Sequence, residues 1–144
     1  MPMLRPRQRR RPLPFGPHAI REAEALHRQG RLAEAERIYA AIVACMPDHF
    51  EALHLLGVIR QEQSRPAEAL SLIAAALRLN ARSADAHADY GVVLAELGRD
   101  TEAAASFDRA LVLQPGHAGA LAWRERVAQR DVVAPLGELP PLMR

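Results

Sequence analysis

The chain of 144 residues contains no lysine; all 19 of its basic residues are arginine, which we read as a compositional bias before a chemical one. It has one cysteine, Cys45, so no disulfide can form within it. Aromatics make up only 4% of it, while apolar residues reach 49% and are rich in alanine. That balance favours close-packed helices over a sheet of β-branched residues. No apolar run approaches the ~20 residues of a membrane span. The opening MPMLRPRQRRRPLPFGP has no apolar stretch of signal-peptide length. Its prolines at 2, 6, 12, 14 and 17 oppose the amphipathic helix of a transit peptide. A cytoplasmic protein with no membrane contact is therefore expected. There is no glycine-rich phosphate loop, no H-E-x-x-H and no nucleophile elbow, so no enzyme is expected. The six histidines never pair at i, i+4, the spacing that sets two ligands on one helical face, so neither a metal nor a cofactor is implied. Cys45 falls on an apolar helical stripe and reads as a small core residue more than a reactive thiol.

What the chain does have is a phrase repeated at a fixed interval. GRLAEA begins at Gly30, SRPAEA at Ser64 and GRDTEA at Gly98, each 34 residues after the last. Around these phrases the apolar period is near 3.6. Leu53, Leu56 and Ile59 recur before the middle copy, and Ala69, Leu70, Ile73, Ala76 and Leu77 after it. Gly30, Ser64 and Gly98 separate paired helices, and Pro47 and Pro115 separate pairs. Pro66 suits a first helical turn, and Asp100 suits an N-cap. The pattern predicts helix pairs at 17–29/32–45, 51–63/66–79 and 84–97/100–113. A lone pair of this length cannot bury its apolar face, whereas about three stacked copies can. Ala35, Ala69 and Ala103 are then small where helices approach closely. Glu34, Glu68 and Glu102 lie near helix N-termini, where negative charge is favoured.

These features resemble the tetratricopeptide repeats, whose signature is a 34-residue helix–turn–helix. In the middle copy Leu53, Leu56 and Gly57 match the family's aromatic-x-x-Leu-Gly opening, and Ala69, Ile73 and Ala76 match its second helix. The last copy holds His87, Tyr90, Gly91, Ala103, Phe107, Ala110 and Pro115 in those slots. The first holds Ala19, Glu22, Ala23, Ala35, Tyr39, Ile42 and Pro47. Ala19 and Glu22 depart from the pattern, as does Ala81 in place of the middle copy's closing proline. The resemblance implies an all-α, right-handed α-solenoid of three helix pairs plus a C-terminal capping helix. The repeats would run 16–49, 50–83 and 84–117, with the cap at 118–130. Residues 1–15 would be a disordered Pro/Arg-rich tail and 131–144 a second tail. In the cap, Leu121 should continue the buried stripe, while Arg124 and Glu125 replace Leu56-Gly57 and Tyr90-Gly91, so no partner helix should follow. The first half is also similar to the repeat arms of bacterial glycosyltransferase-type proteins, here with no catalytic domain expected.

The family binds peptide segments on the concave surface lined by the first helix of each pair. By register, the inward positions include Ile20, Arg21, Glu24, His27 and Arg28, then Glu51, His54, Leu55, Val58, Gln61 and Glu62. They continue with Asp85, Ala88, Asp89, Val92, Ala95 and Glu96, and end with Ala122, Trp123, Arg126 and Arg130. Members that clamp a chaperone's terminal carboxylates use basic and amide residues there. Here those sites hold Ile20, Glu24, Leu55, Asp85 and Asp89, and the acids among them repel a carboxylate. The strip Leu55, Val58 and Val92, flanked by acids, suits a protein or peptide partner that is basic and amphipathic; those acids could equally be a solvated face. Trp123 could anchor a ligand or pack against the cap. Arg5, Arg7, Arg9, Arg10 and Arg11 give residues 1–15 a charge of +5 against −3 for the rest. That segment could be solvated, dock in an acidic groove, serve as a proline-type ligand, or bind nucleic acid. Nucleic acid is the lesser reading, because no aromatics are interleaved. The predicted function is an interaction scaffold. The alternatives are association with nucleic acid through the tail, or a detached repeat arm serving a glycosyltransferase in trans.

Overall fold

A computed structural model describes residues 16–132, and among these all regular structure is helical. The helices are α1 (Ala19–Arg28), α2 (Leu32–Cys45), α3 (Phe50–Glu62), α4 (Pro66–Leu79), α5 (Ala84–Glu96), α6 (Asp100–Leu113) and α7 (Ala118–Val132). Each boundary lies within two residues of the one read from the repeat. Helices pack as pairs α1–α2, α3–α4 and α5–α6. Each pair rests on the next through α2–α3, α4–α5 and α6–α7. The result is an all-α solenoid. Residues 1–15 and 133–144 lie outside the described residues; the second tail was expected from residue 131, but Asp131 and Val132 belong to α7.

The repeated phrase explains the turns. Gly30 and Gly98 have φ of 75°, and Ser64 takes the same left-handed turn at 60°. The arginine after each is the N-cap of the following helix and makes no capping hydrogen bond. Instead it clasps the glutamate three residues on: Arg31 with Glu34 at 2.7 Å, Arg65 with Glu68 at 2.6 Å and Arg99 with Glu102 at 2.7 Å. The Arg99 guanidinium holds the Glu102 carboxyl below the usual range. Asp100, expected to cap α6, is its first helical residue and pairs with Arg130 at 3.2 Å, because Arg99 already occupies the cap position. Pro66 stands in the first turn of α4, where its missing N–H costs nothing.

The small residues lie where helices touch. Ala35, Ala69 and Ala103 are fully buried, as are Tyr39, Ile73 and Phe107 one turn on. A Cβ on Gly57 would stand 2.6 Å from Ile73 Cγ1, and one on Gly91 would stand 2.5 Å from Phe107 Cε1. Each larger side chain of the second helix thus fills the space the glycine leaves. One buried cluster joins α1, α2 and α3, and another joins α5, α6 and α7. Leu70 and Tyr90 pack against both the latter and the Ala69–Ile73–Val93 group between.

In α7 the buried residues are Ala120 and Val127, with Trp123 packed on the last cluster. Leu121, expected to continue the buried stripe, is 49% exposed. Its equivalents Leu53 and His87 are buried. Among the described residues no helix follows α7. Arg124 and Glu125 are exposed, and Arg124 pairs with Asp108 at 2.6 Å, so the outward face of α7 is polar around Leu121. Cys45 is half-buried at the end of α2 rather than enclosed.

Candidate functional site

The odd-numbered helices meet along one face, and side chains tie each to the next. His27 Nε2 meets Glu62 at 2.8 Å, His54 Nε2 meets Asp89 at 2.6 Å, and Gln61 Nε2 donates to Glu96 at 2.6 Å. Arg130 donates to the Ala95 carbonyl at 3.2 Å. All four ties span 35 residues, one repeat plus one. Helical side chains lean toward the N-terminus, so each residue reaches the neighbouring copy one position out of register. A fifth tie joins His117 Nε2 to Asp85 at 2.7 Å. There Nδ1 accepts the Ala120 N–H at 3.0 Å, so Nε2 carries the proton and donates it to the carboxylate.

The charged residues expected to line the groove are therefore brought together, but on each other. His54 and Asp89 pair, Glu62 and Glu96 accept from α1 and α3, and Asp85 accepts from the start of α7. Arg126 lies 4.3 Å over the ring of Trp123 on its own helix, so one face of that ring is covered. Of the apolar strip, Leu55 packs against the first cluster and Val92 against the last, while Ala88 and Ala95, expected to face inward, are buried within that last cluster where α5 meets its neighbours. Val58, on the same face of α3, is half-buried and belongs to none of the buried clusters.

One pair of acids stands apart. Glu51 at the start of α3 hydrogen-bonds Glu24 of α1, and this contact, followed by burial, raises its pKa above the usual carboxylate range. Tyr39 of α2 is wholly buried in the first cluster, its hydroxyl without a hydrogen-bond partner among the described residues. Burial first, then the charges of Glu24 and Glu51, push the Tyr39 pKa up. The pattern of inward positions pointed to both acids, but it carried no sign of Tyr39, which occupies the aromatic core slot. The histidine caps were also missed: His49 Nδ1 accepts the Ala52 N–H at 3.1 Å, as Ser83 Oγ does for Ala86 and His117 does for Ala120. These three stand 34 residues apart, and that spacing was the available signal.

The helix-pair geometry agrees with comparisons to known proteins. Residues 54–118 match the tetratricopeptide repeat family. A barley (Hordeum vulgare) protein, probable UDP-N-acetylglucosamine–peptide N-acetylglucosaminyltransferase SPINDLY, is 29% identical over 108 residues, covering 75% of this chain. The chain spans about a tenth of that relative's length, 11%. A mutant O-GlcNAc transferase from Thermobaculum terrenum superposes with a TM-score of 0.77 at 26% identity, covering 81% of this chain and 22% of that one. The first TPR of Spaghetti (RPAP3), bound to the HSP90 peptide SRMEEVD, superposes with a TM-score of 0.75 at 20% identity, covering 79% and 90%. Residues 54–118 of this chain are thus tetratricopeptide repeats, and the described residues share the fold of such repeats. No helix among the described residues is long and apolar enough to cross a membrane.

Proposed function

We propose that the chain is a non-catalytic interaction module that holds a segment of a partner protein on the face formed by α1, α3, α5 and α7. The observation that carries this reading is Val58, a half-buried apolar residue on the face that the inter-repeat ties hold together, outside every core cluster. Leu55 and Val92 extend the strip on either side. The partner is basic as well as apolar, because Glu24, Glu51, Glu62, Asp85, Asp89 and Glu96 share the face. The surface differs from one that clamps carboxylates, so a terminal-carboxylate peptide is not the ligand proposed here.

Capture from the native lysate after nuclease treatment tests this, using the full chain and its Val58→Asp variant. Val58 is the better probe than Leu55, whose side chain also supports the first cluster. The expected result is one protein retained by the full chain and reduced at least about tenfold by the variant, with unchanged helical circular dichroism. Equal retention by both would overturn the groove reading. A second reading is favoured by the similarity to the repeat portions of two sugar-transferring proteins. In it the partner is a glycosyltransferase domain, and the same capture would identify one.

A further inference from the structure

The last helix leaves a cleft where each earlier pair has a second helix. Gly57 and Gly91 let α4 and α6 pack close, through Ile73 and Phe107. The same slot in α7 holds Glu125, and among the described residues no second helix pairs with α7. Between α6 and α7 lies a cleft of about 440 Å³, lined by Ala104, Asp108, Leu121, Arg124, Val127 and Ala128. Most of these are apolar, and Leu121 is 49% exposed. Arg124 and Asp108 pair within it at 2.6 Å, both half-exposed. The residues of α7 on the groove side, Trp123 and Arg126, do not line it.

The sequence that follows α7 suits this cleft without a helix. Residues 133–144 read VAPLGELPPLMR. Pro135, Pro140 and Pro141 oppose a helix like α4 or α6. Prolines favour the polyproline II conformation, which repeats every three residues and rises about 3.1 Å for each. Leu136, Leu139 and Leu142 stand three apart, so in that conformation they share one face at intervals of about 9 Å. On α7, Ala128 and Leu121 are about 10 Å apart along the axis at roughly 1.5 Å per residue. The two spacings match. The chain leaves α7 at Val132, about 6 Å beyond Ala128. An extended segment also does not need the close approach that a glycine allows, so Glu125 is no obstacle to it.

We propose that residues 133–144 fold back antiparallel along α7 and seat Leu136 and Leu139 in this cleft, covering Leu121 in place of a helix. Residues 133–135 make the return. Leu136 then comes level with Ala128 and Leu139 with Leu121. Glu138, about 6 Å past Leu136, comes level with Arg124, a charge of opposite sign. So short a tether gives the chain's own segment an effective concentration on the order of millimolar, ahead of a second copy's. The seat stands apart from the groove and does not depend on it.

The test is methyl NMR of the full chain, labelled with ¹³C at leucine and valine. The expected result is nuclear Overhauser cross-peaks from Leu139 to Leu121 and from Leu136 to Val127. L136D/L139D leaves every described residue intact; it should erase them and lower Tm by about 5 °C. L121D should erase them too. The L121D/L136D/L139D variant should melt no lower than L121D, since the three residues serve one contact. Absence of the Leu139–Leu121 cross-peak overturns the proposal, whatever the melting temperatures. Cross-peaks of Leu136 and Leu139 with Val58 or Val92 would put the segment in the groove and overturn the seat. Cross-peaks found only between differently labelled copies would give the seat to a second chain and overturn the fold-back.

Discussion

His49, Ser83 and His117 occupy one position of the repeat and perform one task, each accepting the N–H three residues on. A histidine can do so only through an unprotonated Nδ1. Glu24 and Glu51 make the pH-dependent point. Their hydrogen bond needs a proton, and it raises the Glu51 pKa. Its contribution to stability is complete below the ordinary glutamate range and is lost as pH rises through the raised value. Glu51→Gln should therefore flatten stability against pH in that window, measured by urea midpoints across acid pH. An unchanged slope would show that the two carboxyls do not share a proton. Tyr39→Phe should leave the free protein as stable or raise its stability by about 1 kcal/mol, because a buried unbonded hydroxyl is removed.

At the scale of the helix, the 34-residue phrase accounts for nearly every boundary. Turn residues, small contacts and apolar period agree with one another there, and such agreement makes a fold legible without coordinates. What escaped was set by tertiary context. Arg31, Arg65 and Arg99 recur in register, yet their clasp on the third residue following is visible only once the turn geometry is known. Leu121 is apolar and in the buried slot, but a slot is buried only when a partner helix covers it. Ser64 departs from the two glycines of its position while keeping a φ of 60°. Ser64→Gly should relieve that strain and stabilise the chain by about 1 kcal/mol, read as a rise in Tm. Gly91→Ala should do the reverse by about 1–3 kcal/mol, since its Cβ would press on the Phe107 ring. A neutral Gly91→Ala variant would mean that α5 and α6 pack more loosely than described.

For the whole molecule, the inter-repeat ties decide both shape and surface. The register placed His54, Glu62, Asp85, Asp89 and Glu96 on the inward face. It could not tell whether they would face a ligand or one another, because the 35-residue offset arises from side-chain lean rather than from the repeat itself. Removing one tie should loosen the stack without melting its helices. His54→Ala should cost about 1–2 kcal/mol and leave helical circular dichroism unchanged at low temperature. A large loss of helix would instead mark His54 as a core residue of α3. Val112 and Leu113 form a competing exposed apolar edge beside His87 and Arg109, and Leu79 is exposed at the end of α4. Hydrogen–deuterium exchange of the full chain, alone and with its captured partner, separates the two surfaces directly. The groove account predicts slowed exchange along α1, α3, α5 and α7, centred near Val58. Protection concentrated at the ends of α4 and α6, around Leu79 and Val112, would contradict it.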